Sequence, residues 1–318
     1  MPSSLTLQPA LIELSFIDRA ILETLVYSDI FEYPLQLKEL HRFLPERVDI
    51  EKLPGAIGSL HEYVVRKDDY YFLAGREETV GIRKQREARS RKLLPRAIQY
   101  GCVLGSLPFI RMVALTGSLA VMNVSKDSDF DYMLVTAPGR VWTARVFALL
   151  FNRLVRPFGP AICPNLIVSE TALEWPQHDL YSARELYQMI PIMGMDVYHR
   201  LMKANQWVRE FFPNAFLDFN SLLLESLQAR APSLHEIIEF PLRGKLGDRF
   251  EQWEMSRKID RFSKQEGFGE ETVFTAEVCQ GNFHHHRRRT REVFQERLNN
   301  LSVGPSLLSG GEPRVRAG

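Results

Sequence analysis

The sequence predicts an α+β protein in which helical segments surround one small mixed β-sheet. Apolar residues first recur at helical spacing in three short segments, and a strand-turn-strand pattern follows them before residue 75. Short apolar runs then alternate with helical periodicity between residues 108 and 178, which is typical of a sheet packed on helices. Helical periodicity dominates again after residue 179, so we expect a C-terminal helical region.

The N-terminal segment, residues 1–75, is predicted to form three helices and a hairpin. Ile21 and Leu25 share one helical face in the first helix, and Asp49 is a candidate N-cap for the third. The polar run at 66–69 separates two short apolar runs, which is a hairpin signal. Three helices followed by a hairpin resemble a winged helix-turn-helix.

The predicted third helix of this segment is poorly suited to reading DNA. Base edges are usually contacted by Arg, Lys, Asn or Gln on such a helix. Three of the five polar side chains here are acidic; the five are Asp49, Glu51, Lys52, His61 and Glu62. We therefore favour a docking or protein-interaction module, with sequence-specific DNA binding as the less favoured alternative.

Residues 76–107 form a charged, predominantly basic connector with helical character. Its cations are Arg76, Arg83, Lys84, Arg86, Arg89, Arg91, Lys92 and Arg96. Such a run is usually a solvated helix face. Because it leads directly into the most informative stretch of the chain, a position beside a phosphate-rich ligand is the alternative interpretation.

The stretch from residue 113 to residue 136 is predicted to be a strand, a Gly117-Ser118 turn, a short helix, a polar loop and a second strand. The second strand opens with Asp129 and Asp131. Side chains two apart in a strand leave from the same face, so the negative charges of these two carboxylates are expected to lie close together. They repel unless a cation lies between them, which predicts a divalent metal site.

The turn itself has the composition of a phosphate-binding element. Gly117 permits a tight bend, and Ser118 begins a helix whose first backbone N–H groups attract phosphate oxygens. The Ser118 hydroxyl adds a donor without blocking close approach. Lys126, in the loop at 124–128, is a further candidate phosphate contact, although solvation is the simpler interpretation of a loop lysine.

These motifs resemble the signature of the polymerase-beta-like nucleotidyltransferase superfamily: a Gly-Ser pair, a gap, and Asp-x-Asp on a strand. The resemblance covers roughly residues 108 to 170, within the segment 108–178 that we interpret as a nucleotidyltransferase core. It implies that Asp129 and Asp131 hold Mg²⁺, with two ions expected. It also implies that a nucleoside triphosphate binds with its phosphates against Gly117 and Ser118.

One position departs from the pattern of that superfamily. The resemblance implies a third carboxylate on the strand after the helix, and the matching position here is Asn165 or a near neighbour. An amide oxygen can ligate a metal, but an amide cannot serve as a base. Glu170, at the end of the strand, is a substitute candidate, and Asp179 is a more distant one. We therefore predict Asp129, Asp131 and Asn165 as metal ligands and Asp129, Asp131 and Glu170 as catalytic residues.

The segment 179–302 is predicted to be a helical region, and the Gly-, Pro- and Ser-rich tail 303–318 is predicted to be disordered. The expected helices are Tyr181–Ile190, Met195–Phe212, Phe216–Leu227 and Leu246–Lys264. Three adjacent histidines at 284–286 cannot all face one metal ion in a regular helix, so we expect no metal site there.

Composition indicates a soluble globular protein of two or three domains, since 45% of its 318 residues are hydrophobic and 25% are charged. The net charge of +1 predicts neither nucleic acid nor a membrane as partner. Three cysteines far apart indicate reduced thiols. No signal peptide or membrane span is recognised, so the cytoplasm is the expected location.

The sequence thus predicts an enzyme that transfers a nucleoside monophosphate to an acceptor hydroxyl with Mg²⁺ and releases pyrophosphate. The acceptor and the preferred base stay open. One alternative is a winged-helix regulator whose nucleotidyltransferase-like domain senses nucleotide without turnover, which the missing third acid favours. Another is an antitoxin-type member of the superfamily, for which this chain is large.

Overall fold

The computed structural model describes residues 14–126, 129–215 and 239–301. The protein is a mixed α+β structure with two β-sheets, one of three strands and one of six. It folds as two compact units. Among the described residues, the first unit contains 14–80, 211–215 and 292–301. The second unit contains 81–126, 129–210 and 239–291.

The first unit contains three helices and a hairpin in the order that the sequence predicts. Its elements are α1 (Phe16–Asp29), β1 (Leu35–Gln36), α2 (Leu37–Arg42), a 3-10 turn (Ile50–Lys52), α3 (Leu53–Ser59), β2 (Val64–Lys67) and β3 (Tyr70–Leu73). Asp68 and Asp69 form the hairpin turn with φ values of +51° and +66°. Aspartate tolerates this left-handed conformation better than most residues, so the turn residues suit a tight two-residue loop.

The core of the first unit is an apolar cluster to which all three helices contribute. Its fully buried members include Ala20, Ile21, Leu22, Leu35, Leu40, Leu44 and Leu53. Ser15 caps α1, because its hydroxyl accepts from the Asp18 N–H while Asp18 accepts from the Ser15 N–H. The helical periodicity is a local signal, which is why the sequence predicts these helices.

Two distant segments complete the first unit. The Asn214 amide accepts from the Val48 N–H at 3.1 Å and donates to the Glu46 carbonyl at 2.7 Å. Arg297 forms an ion pair with Asp29, whose side chain is 9% exposed and also receives Arg76 at 2.7 Å. The compact unit therefore uses residues far outside the segment 1–75 that the sequence marks as a module.

The second unit is built on the six-stranded sheet. Its elements, with those that continue beyond it, are α4 (Glu78–Gly105), β4 (Ile110–Leu115), α5 (Gly117–Ala120), β5 (Phe130–Thr136), α6 (Val141–Val155), a 3-10 turn (Arg156–Phe158), β6 (Ile162–Ser169), α7 (Leu180–Gln188), β7 (Ile190–Met193), α8 (Met195–Ala204), α9 (Val208–Phe211), α10 (Lys245–Phe262), β8 (Thr272–Phe274), β9 (Val278–Gly281) and α11 (His286–Asn300). None of the helices in the described ranges combines the length and apolarity needed to cross a bilayer.

The sheet has the strand order β7-β4-β5-β6-β9-β8. The pair β5–β6 is parallel and the other pairs are antiparallel, so the sheet is mixed, as the sequence predicts. Alternation along β5 turns Phe130, Tyr132 and Leu134 toward the apolar core that also contains Trp142 of α6. Asp131 lies between the first two of these residues and therefore faces the opposite side of the sheet.

The start of α6 is stabilised by a residue more than a hundred positions away. The buried Glu251 carboxylate on α10 accepts from the backbone N–H groups of Trp142 at 2.8 Å and Thr143 at 2.7 Å. It also accepts from the Thr143 hydroxyl at 2.6 Å. The residue that precedes α6, Arg140, provides no side-chain cap. A tertiary contact thus satisfies donors that local sequence leaves open.

Replacing Glu251 with alanine is expected to lower the free energy of unfolding by about 2–3 kcal/mol, because buried N–H donors at the start of α6 lose their acceptor. Urea denaturation followed by circular dichroism measures the change. Gln252→Ala is the matched control, because Gln252 is the adjacent, exposed residue on α10. Equal stabilities of the two variants would show that the cap contributes little.

The predicted helical region 179–302 requires a correction, because it also provides β7, β8 and β9. These strands have only three or four residues, too few for alternation to be distinguished from a loop. The predicted helix 195–212 is divided into α8 and α9 where the buried Asn205 binds the Leu173 carbonyl and the Trp175 N–H. The predicted helix 246–264 agrees with α10. The predicted helix 216–227 and the tail 303–318 lie outside the described residues.

Candidate functional site

The bend after β4 lies directly against a carboxylate of β5. Gly117 has φ +64°, and a Cβ at this position would overlap Asp131 Oδ2 and lie 3.1 Å from Asp131 Cβ. The Thr116 N–H also donates to the Asp131 carbonyl at 2.9 Å. Only glycine fits both the left-handed backbone and the contact. The two halves of the sequence motif, separated by more than ten residues, therefore meet in space.

Asp131 leaves β5 on the side opposite the inward-facing Phe130, and Asp129 lies directly before the first residue of this strand. Asp129 is exposed and Asp131 is partly buried. Burial, and then the charge of Asp129, raise the pKa of Asp131 to about 6, while a hydrogen bond with Cys163 acts in the opposite direction. The two carboxylates are close enough to repel each other, which is the condition that a cation relieves.

Strand β6 adds two side chains on the same side. Cys163 pairs in register with Asp131, and burial together with the Asp131 charge raises the pKa of its thiol to about 12. Asn165 is the extra residue where the β5–β6 register shifts. Its Nδ2 lies 3.4 Å from Thr116 Oγ1, and its Oδ1 is buried without a hydrogen-bond partner. An acceptor oxygen is thus left unsatisfied next to Thr116, the residue before the glycine bend.

Glu185 on α7 is a further acidic residue at this site, and the sequence reasoning missed it. Burial, and then the charge of Asp131, raise the pKa of Glu185 to about 7. Its neighbours on α7, Arg184 and Leu186, are buried. The available signal was an acid within the buried stretch of an amphipathic helix.

Glu170 does not reach this site, which corrects the prediction that it is a catalytic residue. The β5–β6 register places Ser169 opposite Thr136. Thr136 is five residues beyond Asp131 on β5, and each residue of a strand adds about 3.3 Å. Glu170, which follows Ser169, therefore lies far from Asp131. Glu170 instead pairs with Arg200 at 2.8 Å.

The distant alternative to Glu170, Asp179, has a structural role. Its carboxylate caps α7 by accepting from the Ser182 N–H at 2.8 Å. It also lies 3.4 Å from Arg287 Nη1. Both oxygens of Asp179 are therefore engaged at the start of α7, and no contact links this side chain to the carboxylates of β5.

The loop between Ser118 and Asp129 is held by the basic helix α4. The Ser118 carbonyl accepts from the Asn123 N–H at 2.8 Å, and Ser90 Oγ accepts from the Val124 N–H at 3.2 Å. Arg89 donates to the Val124 carbonyl at 3.3 Å. The basic connector thus lies beside the predicted phosphate-binding loop. Lys126 is exposed at the end of the described part of this loop.

The donor set fits a hard cation such as Mg²⁺. Two carboxylates and an unsatisfied amide oxygen are the ligand types that Mg²⁺ prefers, and the buried Asn165 Oδ1 lacks any other partner. Within the described residues, no group of three His, Cys, Asp or Glu side chains is arranged to hold a metal ion. The fit therefore depends on the Asp129–Asp131 pair and on amide and substrate oxygens.

Asp131→Asn is expected to raise the melting temperature of the metal-free protein. The substitution removes a charge that is partly buried and repelled by Asp129 and Glu185. Thermal denaturation in a chelating buffer measures the shift. Asp129→Asn is the matched control and should give a smaller shift, because Asp129 is exposed. A lower melting temperature for Asp131→Asn would show that the carboxylate is compensated in the folded protein.

Comparisons with known proteins do not extend this description. No protein-family model matches the chain, and no curated protein or solved structure is significantly similar to it. The chemistry of the site comes instead from its own residues: two carboxylates at the start of one strand, a glycine bend touching one of them, an amide oxygen without a hydrogen-bond partner and a third acid on α7. Function has to follow from what this arrangement can bind and activate.

Proposed function

We propose that this chain is a nucleotidyltransferase of the polymerase-beta-like type, which transfers a nucleoside monophosphate from a nucleoside triphosphate to an acceptor hydroxyl. The observation that carries the proposal is the contact between Gly117 and the Asp131 carboxylate. This contact joins the Gly-Ser bend to the Asp-x-Asp strand in three dimensions. The second unit, with its mixed sheet, is then the nucleotidyltransferase core.

The residues around the bend would hold the triphosphate. Gly117 lets the chain approach the phosphates closely, and the Ser118 hydroxyl and neighbouring backbone N–H groups donate to phosphate oxygens. Lys126 is exposed beside the same loop and adds a positive charge. Arg86 and Arg89 of α4 fix the loop through Asn123 and Val124.

Asp129 and Asp131 would hold Mg²⁺, with two ions expected and the Asn165 amide oxygen as a further ligand. Ions held there would supply neutralisation of charge on the attacking and leaving oxygens. The protein's own contribution is to hold the two carboxylates near each other at the start of β5. The Cys163 hydrogen bond to Asp131 fixes the orientation of that carboxylate.

Glu185 takes the place of the third carboxylate in this proposal. Asn165 cannot accept a proton, whereas a carboxylate close to Asp131 can take the proton of the acceptor hydroxyl. Because α7 supplies Glu185, the third acid comes from a helix and not from the strand after α6. The nucleotide-sensing alternative, which the missing strand acid favoured, loses its main support.

The test is incubation with each labelled nucleoside triphosphate and Mg²⁺, followed by measurement of pyrophosphate release and of label transferred to the protein or to added hydroxyl acceptors. Release is expected from the wild-type chain and should fall by at least a hundredfold in Asp129→Ala and Asp131→Ala. Glu185→Gln should reduce the rate at saturating nucleotide, whereas Glu170→Gln should leave it unchanged. Nucleotide binding without pyrophosphate release over hours would favour the sensor.

For the first unit we infer a winged-helix-like docking module. The exposed residues of α3 include Pro54, Gly55, Gly58 and Ser59, and none of them matches the side chains that read base edges. The hairpin turn presents Asp68 and Asp69, whose charges oppose DNA phosphates. Sequence-specific DNA binding therefore stays the less favoured role for this unit, and an antitoxin role has no specific support.

A further inference from the structure

The last two turns of α6 leave large apolar side chains in solvent. Leu150 and Leu154 are 53% and 71% exposed, and Phe158, in the 3-10 turn that follows directly, is 77% exposed. The first turn of α6 is covered, because its residues 141–144 are buried and Glu251 of α10 caps its start. A cluster of exposed apolar side chains on a helix end indicates a surface that another molecule covers.

Helix α4 holds this apolar end in place. Arg96 donates to the Phe158 carbonyl at 3.2 Å, which fixes the backbone of the turn while the Phe158 ring stays in solvent. Ala97 of α4 and Ala148 of α6 are both buried in the core that contains Phe130 of β5. The two helices therefore cover the same face of the six-stranded sheet, and their outer sides belong to one surface.

The charge around the apolar side chains is positive. Arg153 and Arg156 are exposed between and after the two leucines, and Arg96 lies against the turn. Neither residues 88–105 of α4 nor residues 141–161 contain an Asp or Glu. The whole chain has a net charge of only +1, so its cations are locally concentrated here. This surface is complementary in charge to an anionic partner.

Two kinds of anionic or apolar partner fit this combination poorly. A nucleic acid would use the arginines and the Phe158 ring, but the leucines offer it neither stacking nor hydrogen bonds. A second copy of the chain in a twofold contact would bring two sets of the same cations, Arg153 and Arg156, together. An anionic lipid surface uses every part, because its acyl region accepts Leu and Phe side chains and its phosphates bind arginine.

We propose that the exposed end of α6, together with Arg96 of α4, docks the protein peripherally on anionic phospholipid membranes. Leu150, Leu154 and Phe158 enter the boundary between headgroups and acyl chains, and the arginines bind lipid phosphates. Asp131 faces the opposite side of β5, so this surface is distinct from the candidate site. The inference does not depend on the proposed function.

The test is co-sedimentation of the full-length protein with vesicles of mixed phosphatidylserine and phosphatidylcholine, compared with pure phosphatidylcholine vesicles. Wild type should bind the anionic vesicles, more weakly as salt is added, and should not bind the neutral ones. Phe158→Gln should weaken binding at least tenfold, because the inserted ring is lost. The double variant Arg153→Gln, Arg156→Gln should do the same, because two charges near the lipid phosphates are lost.

Matched controls make the same changes elsewhere on the protein. Phe16→Gln replaces a phenylalanine that is 73% exposed on α1, and Lys203→Gln with Arg209→Gln removes two exposed cations from α8 and α9. Both controls should bind anionic vesicles as wild type does. Circular dichroism checks folding, which substitutions of exposed side chains should leave intact.

No binding to anionic vesicles, equal binding to neutral ones, or equal losses in variants and controls would each overturn the proposal. A single-stranded oligonucleotide that binds wild type but not the double arginine variant, without vesicle binding, would assign the surface to nucleic acid. A dimer in sedimentation equilibrium that Phe158→Gln dissociates would assign it to a second copy. None of these measurements involves nucleotide transfer, so they stand whether or not the proposed reaction occurs.

Discussion

Glu239→Gln is expected to lower the free energy of unfolding by about 3 kcal/mol, because it removes the charge of a buried carboxylate that two partly exposed arginines bind. The Glu239 side chain is fully buried. Its carboxylate receives the Phe109 N–H at 2.7 Å, Arg111 at 3.0 and 3.2 Å, and Arg243 at 2.9 Å. The substitution leaves Arg111, at the start of β4, without its anion. Urea denaturation at neutral pH measures the loss.

The pH dependence of this loss provides a second readout. Burial alone would raise the pKa of Glu239, but the hydrogen bonds from Arg111, Arg243 and Phe109 outweigh it and lower the pKa to about 2. A depressed carboxyl pKa stabilises the fold above the ordinary value of 4.5 and loses that contribution as pH falls toward the folded value. The difference between wild type and Glu239→Gln should therefore shrink from pH 4.5 toward pH 2.

Glu266→Gln is the matched control for this experiment, since Glu266 is exposed in the same unit. It should change the unfolding free energy by less than about 0.5 kcal/mol at any pH. A Glu239→Gln protein as stable as this control would show that Arg111 and Arg243 are already compensated by solvent.

The parts of the fold that the sequence predicted are those encoded by neighbouring residues. The helical face of α1, with Ile21 and Leu25, lies within one short segment. The turn at Asp68 and Asp69 is likewise local. By contrast, the Glu251 cap of α6 and the Glu239 ion pair with Arg111 join positions more than a hundred residues apart. Periodicity and capping rules carry no information about such pairs.

The candidate site divides in the same way. Gly117, Asp129 and Asp131 were predicted because strand alternation and a turn rule act over a few residues, and the structure brings them together. Glu170 was predicted from its position at the end of the strand that contains Asn165. The parallel register of β5 and β6 places that end of β6 beside Thr136, far from Asp131. Glu185 was missed because α7 reaches the carboxylates only through the path of the chain after β6, which sequence spacing does not reveal.

The same residues explain why a site of this kind lowers the stability of the ligand-free protein. Burial raises the pKa of both Asp131 and Glu185. The charge of Asp129 adds to the rise at Asp131, and the charge of Asp131 adds to the rise at Glu185. Asn165 leaves an acceptor unsatisfied. Each of these groups destabilises the ligand-free fold. A bound cation would compensate the carboxylates and the amide oxygen together, which is typical of a binding site.

Gly117→Ala is expected to abolish nucleotidyl transfer, with a loss of at least a hundredfold in pyrophosphate release. The new Cβ would overlap Asp131 Oδ2, so either the bend or the carboxylate must move. A displacement of about 1 Å at reacting groups can cost about a hundredfold in rate. The left-handed φ of +64° adds about 1–2 kcal/mol of backbone strain. The release assay and thermal denaturation measure the two effects separately.

Gly139→Ala separates strain from the loss of site geometry. Gly139 has nearly the same conformation, with φ +65°, but a Cβ there meets no atom within 4 Å. Both variants therefore carry the same backbone penalty, and only Gly117→Ala disturbs Asp131. We expect Gly139→Ala to lose stability while keeping most of its pyrophosphate release. Equal activity in the two alanine variants would mean that the bend does not position the Asp131 carboxylate for chemistry, and the proposed reaction would lose the contact that supports it.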